Sequence, residues 1–256
     1  MSGDRSIRLD HVSKTFIARG TSFTALEDVS LNCVPGSFTA LIGPSGCGKS
    51  TILRLALGLE SADSGTVTIG GKPPQAATAS GATGVAFQDA ALLPWRSVEA
   101  NIALPLDVLG KPRVEYRQRI GELIHLVGLD GFEHALPGEL SGGMRQRVSI
   151  ARALVTNPGV LFLDEPFGAL DQILRRQMNI ELQRIWSEFR ATTLFVTHGI
   201  DEAVFLADRV VIMMNKPGRI AQVIDVPFAR PRDRSLFANS EFHKLNDRIA
   251  TVLHGA

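Results

Sequence analysis

Cysteine is nearly absent: Cys33 and Cys47 are the only two in 256 residues, too few for a disulfide framework, and both are expected to be free thiols. Long apolar runs are missing too. No stretch approaches the roughly 18 residues that a membrane-spanning helix needs, and Met1 to Asp10 holds no apolar core of signal-peptide length. The chain is therefore expected to stay in the compartment where it is made. An excess of one charge is lacking as well, since 27 Lys and Arg stand against 26 Asp and Glu for a net charge of +1. With the basic residues dispersed, no electrostatic footprint for DNA or RNA is visible. The densest basic run, Lys111 to Arg119, includes Glu115 and reads as the solvated face of a helix. No internal repeat is evident. What is present is 45% apolar residues, enough for one domain with a sizeable core and a subdomain but not for a second independent domain.

Gly43-Pro44-Ser45-Gly46-Cys47-Gly48-Lys49-Ser50-Thr51 carries the first chemistry. Ser37 to Ile42 reads as a short buried strand and Thr51 to Leu57 has the apolar spacing of a helix, which puts the glycines on a strand-to-helix turn. Backbone N–H groups unobstructed by Cβ atoms converge at such a turn, and the helix N-terminus adds partial positive charge. Lys49 is placed to reach the β- and γ-phosphates of a nucleotide, and the Ser50 hydroxyl to ligate Mg²⁺. ATP is the expected ligand. A glycine-rich turn that only packs a helix on a strand is the plainer reading, and the complete G-x-x-x-x-G-K-S spacing in this context argues against it. Cys47 sits inside the loop, where a disulfide would disturb the cradle and oxidation is expected to inhibit.

The metal needs a second element. Gly159-Val160-Leu161-Phe162-Leu163-Asp164-Glu165-Pro166 reads as a buried parallel-type strand ending in two carboxylates. Asp164 is placed to hold Mg²⁺ through water. Glu165 is expected to point away from Asp164 by the two-residue period of a strand and to polarise the water that attacks the γ-phosphate. A third element, Leu140-Ser141-Gly142-Gly143-Met144, sets a hydroxyl and two glycine amides before a helix expected over Met144 to Thr156, a second site for an anion.

Lying between a phosphate loop and an Asp-Glu strand, this last segment resembles the signature of ATP-binding-cassette (ABC) ATPase subunits. The resemblance implies an α/β fold: a P-loop NTPase core with an antiparallel β subdomain and a helical subdomain carrying the signature. It implies two copies packed head to tail, Ser141, Gly142 and Gly143 of each closing over the ATP held by the other. Phe16 then takes the place of the aromatic that stacks on adenine, although by composition alone it reads as core. Gln88, after an expected strand over Gly84 to Phe87, matches the glutamine that contacts Mg²⁺ and the attacking water. Gly168-Ala169-Leu170-Asp171 matches the loop that meets the partner cassette, with Asp171 crossing the interface. His198, after the expected strand Thr193 to Thr197, matches the histidine that holds the γ-phosphate and orients Glu165. Gly199 stands where many relatives have Asp, which leaves the stiffness of this loop open.

The nucleotide-binding domain is expected over residues 5–225, its helical part over about 89–157, and a tail with a final helix over 226–256. Ile7 to Leu31 and Gly65 to Gly70 alternate as half-buried antiparallel strands do, and Lys72 to Gly84, rich in Pro, Ala, Thr and Gly, is expected to be a surface loop. Phe87 to Asp89, Leu92-Leu93-Pro94-Trp95, Asp164 to Asp171 and Lys216 to Ile220 are similar to the nitrate, sulfonate, taurine and bicarbonate branch of importer ATPases. That likeness implies a peripheral subunit at the cytoplasmic face of the inner membrane, docked on separate permease subunits that a substrate-binding protein supplies. Leu92, Leu93, Pro94 and Trp95 are the expected docking surface, with packing of the same side chains into the helical part as the alternative. Two rival readings are a soluble cassette ATPase with a mechanical role on nucleic acid, ribosomes or cofactor assembly, and the ATPase of an exporter. The absence of a second cassette, of a coiled-coil insertion and of a basic run stands against the first.

Overall fold

The computed structural model describes residues 4–18, 20–168, 170–215 and 217–255. Ala169 of the expected partner-contact loop, Lys216 of the branch-like segment and Met1 to Gly3 lie outside the described residues. In chain order the strands are β1 (Ile7–Ala18), β2 (Thr21–Cys33), β3 (Phe38–Ile42), β4 (Ser64–Ile69), β5 (Thr83–Ala86), β6 (Val160–Asp164), β7 (Thr192–Val196), β8 (Arg209–Met214) and β9 (Arg219–Asp225). The helices are α1 (Lys49–Leu57), α2 (Pro74–Ala79), α3 (Val98–Ile102), α4 (Leu104–Val108), α5 (Arg113–Leu126), α6 (Gly142–Leu154), α7 (Gln172–Phe189), α8 (Ile200–Leu206) and α9 (Ser240–His254).

Continuous apolar runs become strands that are covered on both faces, and their side chains alternate between two cores. Phe38, Ala40 and Ile42 of β3 join one apolar cluster while Leu41 joins the other; on β6, Leu161 and Leu163 separate from Val160 and Phe162 in the same way. These strands belong to a six-stranded sheet of order β5-β6-β7-β3-β8-β9, parallel except for the β8–β9 pair. The second sheet, β2-β1-β4, is antiparallel, in agreement with the alternation in its sequence. Because β5, β6, β7 and β3 are parallel neighbours, the segments after them emerge along one carboxyl edge. In that order they carry Gln88, Glu165, His198 and the phosphate loop. At about 4.8 Å per strand the row from Gln88 to the phosphate loop spans roughly 14 Å, the usual place for a ligand in such a sheet.

The structure corrects the expected loop over Lys72 to Gly84. Residues 74–79 form α2, and β5 begins at Thr83. Pro74 stands at the start of the helix, where its missing N–H costs nothing, and the alanines favour helix over coil. Ala77 is buried against the α1 side of the core, and Thr78 Oγ1 donates to Leu57 O at 3.1 Å.

The tail after Asp225 is part of the core. Val226, Phe242 and Ile249 belong to the same cluster as Phe38. Arg232, only 4% exposed, is the anchor: its Nη1 donates to the carbonyls of Val204, Phe205 and Ala207 at 3.0, 2.9 and 2.8 Å, closing the C-terminus of α8. Its Nε and Nη2 both donate to Phe228 O, at 3.1 and 2.9 Å. Burial, with help from Arg230, depresses the guanidinium to about 10, so the contacts are bought at a desolvation cost. Arg232→Met keeps the length of the stem and strands four carbonyls. Set against relief of that desolvation, the net destabilisation is expected to be about 2 kcal/mol, a fall in Tm of roughly 4–8 °C by calorimetry. An unchanged Tm would show that the tail is not anchored through this residue.

Candidate nucleotide site

The phosphate loop joins β3 to α1. Gly48, at the N-cap of α1, has φ 94°, and a Cβ there would lie 2.5 Å from Leu26 Cδ2 and 2.9 Å from Ala25 O. Only glycine satisfies both the left-handed backbone and the close approach of β2. No acidic side chain occupies the first turn of α1 and no side chain caps it, which leaves its N–H groups directed at whatever anion enters. Lys49 is 8% exposed, and its Nζ donates to Gly43 O at 2.7 Å and Pro44 O at 3.1 Å, fixing the ammonium across the mouth of the loop. Ser50 is exposed at the next position. Cys33 and Cys47 are free and buried. Burial raises the Cys47 thiol above its ordinary value, with Lys49 opposing, so the thiolate that oxidation requires is disfavoured and the expected oxidative inhibition loses its basis.

Gly218 closes the loop from behind. It exchanges backbone hydrogen bonds with β2, from Glu27 N–H to Gly218 O at 3.0 Å and from Gly218 N–H to Ala25 O at 3.2 Å, and a Cβ would lie 2.3 Å from Cys47 O. In the sequence this residue marks kinship only; its contact with the phosphate loop depends on the β8–β9 hairpin returning across the sheet.

Asp164 ends β6 partly buried. Burial raises its carboxyl above the usual range and the Glu165 charge adds to this, while Lys49 and Arg54 pull it back. Such a carboxylate gains from a cation beside it. Among the described residues no group of three or more His, Cys, Asp or Glu side chains could hold a metal alone. A hard cation that keeps its waters and takes phosphate oxygens needs only one or two carboxylates, and Mg²⁺ fits on that ground.

The expected strand alternation does not reach Glu165. β6 ends at Asp164, and Glu165 adopts φ 44°, a left-handed conformation uncommon outside glycine. Its N–H donates to Val196 O at 2.8 Å, and its carbonyl accepts the Gly168 N–H at 3.0 Å, so neighbouring backbone holds the turn. Glu165 Oε2 then lies 3.1 Å from His198 Nδ1. A cleft of about 700 Å³ is lined by Gly43, Pro44, Ser45, Lys49, Glu165, His198, Ile200 and Leu253. Ile200 and Leu253 are apolar walls that no motif announced, and Leu253 reaches the cleft from α9 in the tail.

Gln88 is exposed beside this group: a Cβ placed on Gly168 would sit 3.4 Å from Gln88 Nε2 and 3.5 Å from Glu165 Oε2. The segment around Gln88 is tied to α6, since Gln146 Nε2 donates to Phe87 O at 3.0 Å and Arg152 Nη1 to Ala91 O at 2.9 Å. At the other end of α6 the Ser141 hydroxyl caps the helix by accepting the Met144 N–H at 3.2 Å. The signature residues do not line the Lys49–Glu165 cleft. Gly142 instead lines a second cleft with Gln88, Asp89 and Arg145, and Gly143 packs against Leu174 of α7. Asp171 is exposed and caps α7, accepting the N–H groups of Ile173 and Leu174 at 3.0 Å each. Phe16 sits half-buried on β1, its ring 5.6 Å from that of Phe23 at 29° and 5.4 Å from Lys14 Nζ, and it is not among the residues that line the phosphate cleft. In the 92–95 segment the two readings divide between residues: Leu92 packs on the core, whereas Trp95 is 74% exposed. Buried Asn101 fixes the turn that presents it, bonding both the N–H and the carbonyl of Leu93.

A phosphate loop, an Asp-Glu strand end and a histidine on adjacent parallel strands define a P-loop nucleotide-binding α/β protein. Within that class, the family described as ABC transporter matches residues 26–168. Over 254 residues the chain is 44% identical to the taurine import ATP-binding protein TauB of Rhizobium johnstonii, covering 97% of this chain and 96% of that protein. Over 232 residues it is 47% identical to the nitrate import ATP-binding protein NrtD of Synechococcus elongatus, covering 89% and 84%. It also superposes on the dimeric post-hydrolysis structure of the ATP-binding cassette MJ0796 bound to ADP and Pi, with a TM-score of 0.76 and 30% identity over 87% of this chain and 100% of that one. The chain belongs to the ABC transporter family.

Proposed function

We propose that this chain is the ATP-binding and ATP-hydrolysing subunit of an ABC importer, energising uptake of a small solute through permease subunits that are separate chains. The observation that carries the reading is the cleft in which Lys49, Glu165 and His198 converge at the mouth of the phosphate loop. Two copies pack head to tail, and Ser141, Gly142 and Gly143 of one complete the ATP site of the other, while Asp171 crosses between them. Placement of the signature in a different cleft from Lys49 supports this arrangement, because one chain alone leaves the γ-phosphate side open.

Within residues 5–225, Lys49 and the backbone of residues 43–51, through every N–H it carries (Pro44 has none), bind the phosphates, and Phe16 faces the adenine. Mg²⁺ would be held by Ser50, Gln88 and, through water, Asp164, and when bound it offsets charge on the transferring phosphoryl group. Glu165 takes a proton from the attacking water, and His198 orients it. Exposed Trp95, with Leu93 and Pro94 and above core-packed Leu92, receives the permease, which places the subunit peripherally at the cytoplasmic face of the inner membrane. Among the described residues no helix is long and apolar enough to cross a membrane, in keeping with separate permease chains. The relatives' names support a nitrate-, sulfonate- or taurine-like solute, which a substrate-binding protein would deliver to the permease.

Affinity purification of the tagged Glu165→Gln chain from gently solubilised membranes with MgATP tests the reading. A copurifying multispanning permease is the expected result. Recovery only with soluble assemblies such as ribosomes would replace it by the mechanical ATPase.

A further inference from the structure

Behind the cleft lies a buried carboxylate that none of these roles employs. Glu202 of α8 is 7% exposed. Its Oε2 accepts the hydroxyl proton of Thr197, the residue before His198, and the same hydroxyl oxygen accepts the Gly199 N–H at 2.9 Å. His198 is thus bracketed on both sides by one buried group. The other oxygen, Oε1, has no hydrogen bond of ordinary geometry among the described residues and faces Arg175 Nε at 3.6 Å. Arg175, from the first turns of α7, donates Nη2 to Leu170 O at 2.9 Å and Gly168 O at 3.3 Å. Gly168 in turn donates its N–H to Glu165 O. A series of contacts therefore joins the Gly168 and Leu170 carbonyls, Arg175, Glu202 and Thr197, the neighbour of His198, and returns through Gly168 to Glu165.

We propose that Glu202 is a positioning residue for hydrolysis, holding His198 against Glu165 and, through Arg175, registering where the Gly168 and Leu170 carbonyls lie. The inference rests on the hydrolytic roles given above to Glu165 and His198. Three physical arguments support it. The His198 side chain is 56% exposed and touches Glu165 through one contact, so its own packing does not fix it; the backbone on either side must. A buried carboxylate is also costly: burial raises its carboxyl despite Thr197, Arg175, His198 and Asn179, and an apolar side chain of similar volume would fill the place without that cost. The Arg175 pair is about 0.7 Å longer than a charge-assisted hydrogen bond of about 2.9 Å, so a small displacement of the Gly168 and Leu170 carbonyls that hold Arg175 suffices to make or break it. Asp171, next to Leu170, is exposed where a second copy would meet it.

Steady-state ATPase and equilibrium ATP binding of the full-length chain provide the test, with Glu165→Gln as the control. Glu202→Ala is expected to lower kcat about 10- to 10²-fold, the range for sub-ångström to ångström misplacement of a reacting group, with ATP affinity unchanged. Glu202→Gln keeps an acceptor for Thr197 and is expected to recover most of the loss. Thr197→Val, of the same shape without the hydroxyl, guards against misfolding of the Ala variant and is expected to lose kcat in the same way. Normal kcat in both Glu202→Ala and Thr197→Val, a parallel loss of ATP affinity, or a Gln variant no better than Ala would each overturn the proposal. If Glu165→Gln turns over normally, the roles beneath the proposal fail; if it stalls while Glu202→Ala does not, only the proposal fails.

Discussion

Glu165→Gln is expected to bind ATP normally and to hydrolyse it about 10²- to 10⁴-fold more slowly, the range for removing a general base. The substitution is structurally mild. Gln has the shape of Glu, tolerates the φ of 44° no worse, and retains an oxygen 3.1 Å from His198 Nδ1. The backbone bonds from Glu165 N–H to Val196 O and from Gly168 N–H to Glu165 O do not involve the side chain. What the amide lacks is a basic lone pair able to take the proton of water. Single-turnover hydrolysis measured beside equilibrium nucleotide binding separates the two effects. Near-normal turnover would assign the base elsewhere, and a parallel loss of binding would mean that the change had disturbed the loop itself.

Lys49→Ala is expected to act at the other step, weakening ATP binding by about 10- to 100-fold, the worth of one charge-assisted hydrogen bond of about 1.5–3 kcal/mol. Nζ reaches Gly43 O and Pro44 O across the loop mouth, so an entering phosphate meets a cation already held in place rather than one recruited from solvent. Removing it also leaves those two carbonyls facing the ligand, like poles for an anion. Titration with a fluorescent nucleotide reads the change directly. Equal affinities for the variant and the parent chain would show that the phosphates do not lie in this loop.

Legibility followed the range of the interactions. Thr51 to Leu57 as helix, Ser37 to Ile42 as strand and the signature helix after Ser141 were readable because period and caps are local, written within a few residues. The segment over Lys72 to Gly84 reads as a loop because prolines and glycines punctuate its two ends, whereas the burial of Ala77 against α1, which makes a helix of its alanines, depends on a surface distant in the chain. Strand alternation does not place Glu165, because the residue leaves β6 in a left-handed conformation that nothing local announces and that the backbone of β7, through Val196 O, helps to hold.

The phosphate loop, the paired carboxylates, the signature and the absence of a spanning helix were determined by the sequence itself, since each needs only particular residue types at fixed short spacings. Tertiary structure alone decided which of these share a cleft. The parallel order β5-β6-β7-β3 set Gln88, Glu165, His198 and Lys49 along one edge, and the same topology kept Ser141 and Gly143 out of the cleft that Lys49, Glu165 and His198 line. It also brought Gly218, Leu253 and Glu202 to the site from later in the chain, because strand order and helix packing are settled by burial of whole faces, which no single motif records.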